Sequence, residues 1–161
     1  MNNRLIYGLT LYSTLGAGLM AGVYFIFSVA IMPALDKLPA GQAIAAMQHI
    51  NKVIVNPVFM LAFMVTAITS GIVGVYAAVK LDGPERWWLV AGAVLFIVGS
   101  LLITGGYHIP KNDALDKVDP GTADAAKVWA DYLREWLPMN HVRALATLGS
   151  LASFAVALRV A

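Results

Sequence analysis

Four polar residues late in the chain, Asn140, Arg143, Thr147 and Ser150, are separated by three, four and three positions. On an α-helix those spacings share one face. Beyond Arg143 the chain carries no further charge until Arg159. Lipid offers no hydrogen bonds, so a polar face in such a stretch is expected to point into a helix bundle. Arg143 then has two options. It can snorkel toward the boundary, or it can face inward, find partners and stabilise an anion. His141 lies one residue off the stripe and flanks it. A second polar pair, Thr104 and His108, is one turn apart with Tyr107 alongside, and Tyr24 and Ser28 repeat the i,i+4 spacing. Histidine is the side chain suited to general-base work near neutral pH.

These residues need elements to hold them, and the sparse charges mark those elements out. Of 161 residues, 60% are hydrophobic and only 12% are charged, with a net charge of +2; mean hydropathy is +0.74. Soluble domains carry about 25% charged residues. The composition excludes a soluble enzyme, a disordered regulator and a nucleic-acid binder. A net charge this small gives no reason to expect a polyanion partner. Cysteine is absent, which removes disulfides, thiolate metal sites and cysteine nucleophiles. Long uncharged runs extend from Leu5 to Leu35, between Lys52 and Lys80 and between Arg86 and Lys111. Each exceeds the roughly 20 residues that a membrane helix needs. The first run is too long for the core of a signal peptide and reads as a retained span. The fourth run, from Ala144 to Leu158, falls short of that length, and the shortfall makes Arg143 conspicuous.

The expected fold is therefore an all-α integral membrane protein. One domain, residues 1–161, forms a bundle of four transmembrane helices spanning approximately 5–33, 54–79, 87–108 and 140–159. Two short extramembrane helices are expected in loops 1 and 3. One covers about Gly41–Ile50. The other runs from about Thr122 to Trp136, with Val128, Tyr132, Leu133 and Trp136 as its apolar stripe. Leu81–Glu85 forms a tight turn, and the acidic residues fall in solvated loops. Gly18 with Gly22, and Ser70 with Gly74, are small-residue pairs that support either a homodimer or packing within one chain. Four spans put both termini on one side, together with Arg4, Lys80, Arg86 and Arg159. The short loops there give the higher density of basic residues, although the longer side holds seven to their four. Cytoplasmic termini in a bacterial inner membrane are expected on the density argument.

Polar groups gather at the end of the bundle away from the termini. His49, His108 and His141 fall there, with Asn51, Asn56, Asn112, Asn140, Trp129 and Trp136. Three readings compete. The three histidines bind a metal, although no HxxxH or HxxE spacing supports it. Or the polar face is a substrate pocket, with Arg143 as the anion partner and a histidine as base. Or the groups merely hydrogen-bond helix ends while tryptophans anchor the interface, as Trp87 and Trp88 do at the start of span three. No phosphate loop, Ser-His-Asp set or carboxylate pair is present. The alternative to an enzyme is a non-catalytic membrane protein that holds a small molecule or metal through the His/Asn/Arg cluster.

Several motifs in order resemble one family. They are Met32-Pro33-Ala34-Leu35 ending a Gly-rich first span, Ala46-Met47-Gln48-His49-Ile50-Asn51, Asn56-Pro57, Ile109-Pro110-Lys111-Asn112-Asp113, and Trp136-Leu137-Pro138-Met139-Asn140-His141-Val142-Arg143. With four spans and this length, the chain resembles the anthrone oxygenase-like family of small membrane proteins. The resemblance implies oxidation of an activated methylene in a polycyclic phenolic anthrone to a quinone carbonyl. Molecular oxygen would be the co-substrate, with no bound metal or flavin. It carries over Asn51, Asn56, Asn112, Asn140, His141 and Arg143 as family-like positions. In such a site His141 or His108 would be the base, and Arg143 with Asn140 would stabilise the enolate. Trp136 and Tyr24 would supply walls. The partners implied are the bilayer and a hydrophobic small molecule.

Overall fold

A computed structural model describes residues 4–160. Five helices account for almost all of them, and the described residues include no strand. We number them α1 (Arg4–Leu35), α2 (Ala40–Ile54), α3 (Pro57–Lys80), α4 (Glu85–Asp116) and α5 (Ala125–Val160). Four of these, α1, α3, α4 and α5, are long and apolar enough to cross a membrane. The protein is an all-α, four-span integral membrane bundle, as expected. The spans form a ring in the order α1, α3, α4, α5, and α2 lies across one end against α5 and α4.

The helices approach closely where side chains are small. Gly74 on α3 faces the Ala93 side chain on α4, with no room for a Cβ. Gly92 lies under the ring of Phe154, and Ser150 Oγ donates to the Gly92 carbonyl at 2.7 Å. The Ser70–Gly74 pair is thus used inside the chain. The Gly18–Gly22 side of α1 is looser: a Cβ on Gly22 meets nothing within 4 Å.

Two expected boundaries move. The amphipathic helix of loop 3 and span four are one continuous helix of 36 residues, with Pro138 inside it. Proline removes one backbone donor and crowds the preceding turn. Here Tyr107 Oη donates to the Glu135 carbonyl in that turn, at 3.0 Å. Span three likewise runs past residue 108 and through Pro110 to Asp116. It does so through π-helical turns at Ile97–Leu102 and Thr104–His108, where Ile109 N–H bonds the Thr104 carbonyl five residues back. Such turns insert a residue and change the register before the proline. A third π turn, Phe27–Ile31, lies in α1. Nor are all acidic residues solvated, since Glu85 is buried at the start of α4.

Candidate functional site

A cavity of about 410 Å³ opens at the end of the bundle covered by α2. That volume lies within the usual range for small-molecule pockets. All five helices contribute to its wall: Tyr24 and Phe27 from α1, Met47 and Asn51 from α2, Phe59, Met60 and Phe63 from α3, Thr104, His108 and Asn112 from α4, and Trp136 and Arg143 from α5. Most of these groups are apolar or aromatic, and the polar ones cluster at the α4–α5 side.

Arg143 anchors that cluster. It is 6% exposed and points into the bundle, so the inward option holds. Its partners are neutral. Nη1 donates to Thr104 Oγ1 at 3.0 Å and Nη2 to Asn140 Oδ1 at 2.6 Å. The guanidinium carbon stands 4.1 Å from the centre of the Tyr24 ring and 5.5 Å from that of Trp136. Cation–π contacts of this kind are worth about 2 kcal/mol or more when desolvated. Nε is buried without a hydrogen-bond partner. None of the ion pairs among the described residues includes Arg143. Its positive charge is therefore held by geometry and left without an anion.

The local sequence explains how it is held. Asn140 lies one turn before Arg143 on α5. Its Nδ2 donates to the Tyr24 carbonyl and to Ser28 Oγ, both at 2.8 Å. Tyr24 Oη in turn shares a hydrogen bond of 2.9 Å with Ser100 Oγ on α4. Three helices are locked around the guanidinium by these bonds. Both ends of the lock, Ser28 and Ser100, lie within π turns. Such turns occur often at functional sites.

His108 is 1% exposed. Its ring meets Trp136 edge-on at 4.9 Å and Tyr107 at 5.5 Å between centroids. Nδ1 lies 3.4 Å from the Ile103 carbonyl oxygen, and Nε2 is buried with no partner. Asn112 Oδ1 accepts from Tyr132 Oη at 2.8 Å and from Trp136 Nε1 at 2.9 Å, which fixes the indole that walls the cavity. Asn51 lines the α2 side of the cavity with its Nδ2 unpartnered.

Other sequence candidates are not brought here. His49 and His141 are exposed and line no part of the cavity, so the three histidines do not converge. No group of three His, Asp or Glu side chains among the described residues could hold a metal. The reason is helical phase. His141 sits one residue from Asn140, about 100° round the helix, and that turns it outward. Asn56 caps α3 instead: its Oδ1 accepts from Phe59 N–H at 3.0 Å and its Nδ2 donates to the Val53 carbonyl at 3.0 Å. Asn140 reaches the cavity only through Arg143. The tryptophans named as interface anchors at this end are buried instead. Trp136 is a cavity wall, and Trp129 Nε1 donates to Asp36 Oδ1 at 3.0 Å.

The family model described as anthrone oxygenase matches residues 52–153, more than half of the chain. The chain belongs to the anthrone oxygenase family. The matched stretch holds Thr104, His108, Asn112, Trp136, Asn140 and Arg143, most of the polar cluster. The motifs at residues 32–35 and 46–51 precede it. No curated protein matches the chain, and no solved structure does.

Sequence reasoning missed Ser100, Phe59 and Phe63. Ser100 had a signal, because it stands four residues before Thr104 and eight before His108 on one ridge of α4. The phenylalanines had none, since their spacing equals that of any buried apolar stripe.

Proposed function

We propose that this family member is a membrane-embedded oxygenase that oxidises an activated methylene in a hydrophobic, anthrone-like phenolic substrate with molecular oxygen. The methylene carbon loses two hydrogens. One oxygen atom of O₂ becomes the new carbonyl oxygen, and the other leaves as water. The observation that carries this reading is the buried Arg143 guanidinium, set against two aromatic rings with a free N–H and no carboxylate partner among the described residues. Removing one partner from a buried charge pair costs about 3–5 kcal/mol, so a cation left unpaired favours whatever anion enters. An anthrone that gives up a methylene proton becomes such an anion, with its charge delocalised onto oxygen.

In this proposal His108 Nε2 takes the proton. Arg143 and Thr104 hold the enolate oxygen, a stabilisation that grows as charge develops. Tyr24, Phe27, Phe59, Phe63 and Trp136 enclose the rings and exclude water. The electron-rich carbanion then reacts with O₂, and the proposed chemistry calls on no resident metal or flavin. Asn140 is a positioning residue for Arg143. The density of basic residues in the short loops argues for cytoplasmic termini.

The test is oxidation of 1,8-dihydroxyanthrone under ¹⁸O₂ by the protein in lipid nanodiscs. We expect a rate well above that of empty nanodiscs, with one ¹⁸O retained in the new carbonyl. A rate equal to that of empty nanodiscs, or a new carbonyl lacking ¹⁸O, overturns the proposal.

A further inference from the structure

The cavity has two rims of opposite character. On the water side α2 is tied to the end of α4. Lys52 Nζ meets Asp116 Oδ1 at 3.0 Å, and Gln48 Nε2 donates to the carbonyls of Leu115 and Val118 at 2.9 Å each. On the membrane side lie the first turns of α3 and the last turns of α4. Among the described residues, no hydrogen bond, ion pair or ring contact joins 57–63 to 104–116. The close packing of α3 on α4 at Gly74 and Ala93 does not extend to that end.

Depth follows from the hairpin. Met60 precedes Lys80, at the end of α3, by as many positions as Gly105 follows Glu85, at the start of α4. The two antiparallel helices thus bring them to within about one turn of each other, the π turns of α4 shortening its rise slightly. A helical stretch of that length, roughly 20 residues, rises about 30 Å, the thickness of the hydrocarbon core. With Trp87 and Trp88 exposed at the near boundary, Met60 and Gly105 lie just inside the far one. Gly105, Ile109 and Asp113 recur at every fourth position, so they form one ridge of α4, and Ile109 and Asp113 line the cavity. A Cβ on Gly105 or Gly106 meets nothing within 4 Å. Met60 is 37% exposed and Ile109 48%. The membrane-side rim from Met60 to Gly105 and Ile109 is thus apolar, untied and open, with Asp113 at its water-facing end, whereas the water-side rim is polar and bridged.

Resting on the function proposed above, we propose that the cavity is loaded from the bilayer through a lateral portal between Met60 on α3 and the Gly105–Ile109 edge of α4. Its ligand is then a lipid-dissolved polycyclic phenol that turns its oxygen toward Arg143.

Because the chain has no cysteine, Met60→Cys with Gly105→Cys can be bridged by a bis-maleimide after reconstitution into phosphatidylcholine vesicles. The same protein capped with N-ethylmaleimide controls for folding. The probe is 1-hydroxypyrene added in the lipid, read by energy transfer from tryptophan. We expect bridging to slow its uptake about tenfold or more, as closing a gate does. A bridge between Lys52→Cys and Asp116→Cys should slow it less than twofold. The reverse pattern, or equal rates for bridged and capped portal pairs, overturns the portal. The function proposed above is scored separately: Arg143→Met should weaken probe binding in the uncrosslinked protein. A result in which Arg143→Met weakens binding while the portal bridge has no effect sinks the portal and spares the site. No binding to the protein with its native Met60 and Gly105 sinks both.

Discussion

The two halves of the bundle treat buried polar groups in opposite ways. Toward the termini they close on backbone. Thr10 Oγ1 donates to the Ile6 carbonyl, Thr14 to Thr10, Thr66 to Ala62 and Thr69 to Val65, all within one turn. Ser13 Oγ reaches Thr69 Oγ1 across helices, and Ser150 reaches Gly92. The first four satisfy hydroxyls within their own helix and the last two fasten helices together, and all leave little for a ligand. At the α2 end the groups point at space. Asn51 Nδ2, His108 Nε2 and Arg143 Nε are buried without partners, and all three residues line the cavity. Ser70 and Thr147 also have unpartnered hydroxyls, but neither touches the cavity. Unsatisfied donors mark a site only where a cavity adjoins them. One half of the bundle is built for packing, and the other keeps its hydrogen-bonding capacity in reserve.

This contrast breaks first at Arg143. Arg143→Met removes the cation and keeps the bulk. Oxidation of the anthrone probe should fall about 10²–10³-fold, the cost of losing an oxyanion donor. The melting temperature in nanodiscs should fall only modestly, because the hydrogen bonds to Thr104 and Asn140 and the ring contacts are lost while a buried charge without a counter-ion is removed. A large loss of stability with little loss of rate would make Arg143 a packing residue. His108→Gln should cost about 10²-fold, the low end for a general base, and should act on kcat more than KM. Asn140→Leu follows. It removes a charge-assisted hydrogen bond and two ties to α1, of which the former alone is worth about 1.5–3 kcal/mol. Activity should fall about tenfold, with the variant also less stable, since Asn140 serves both functions.

The packing half should fail in the other direction. Gly92→Val would place a methyl against the Phe154 ring. Overpacking of this kind costs about 1–3 kcal/mol. The expected result is a lower melting temperature with kcat/KM of the folded fraction intact. A specific loss of kcat there would blur the division between the halves.

The fold was largely legible because the bilayer imposes a simple rule on charge. Arg4, Lys52, Lys80 and Arg86 bracket spans, and the helices obey them. The helices run unbroken past His108 and Pro138, with π turns before Pro110 and the Tyr107 hydroxyl against the turn before Pro138. The π turns lie in α4 itself and the Tyr107 contact comes from another helix, and neither shows in the spacing of the charges. In the site, the i,i+3 step from Asn140 to Arg143 correctly marked an inward face, and Thr104–His108 marked its counterpart. The convergence of Asn51 and Asn112 on the same cavity as Arg143 depends on how α2 lies across the bundle. Helix periodicity says nothing of that. Asn56 resembled these asparagines by type and place, but its side chain closes on the backbone around it.

The smallest expected effect concerns the two remaining histidines, and it tests the contrast from outside the cavity. His49 and His141 are exposed and line no cavity wall. Exposed substitutions away from special features lie within about 0.5 kcal/mol. His49→Ala and His141→Ala should therefore leave both melting temperature and probe oxidation within about twofold of the unchanged protein. The comparison with His108→Gln is internal, since all three histidines sit at the same end of the bundle and differ in burial and helical phase. If His141→Ala were as damaging as His108→Gln, outward phase on α5 would not exclude a residue from the chemistry. The cavity would then have to extend around the helix, with Arg143 at its edge instead of at its centre.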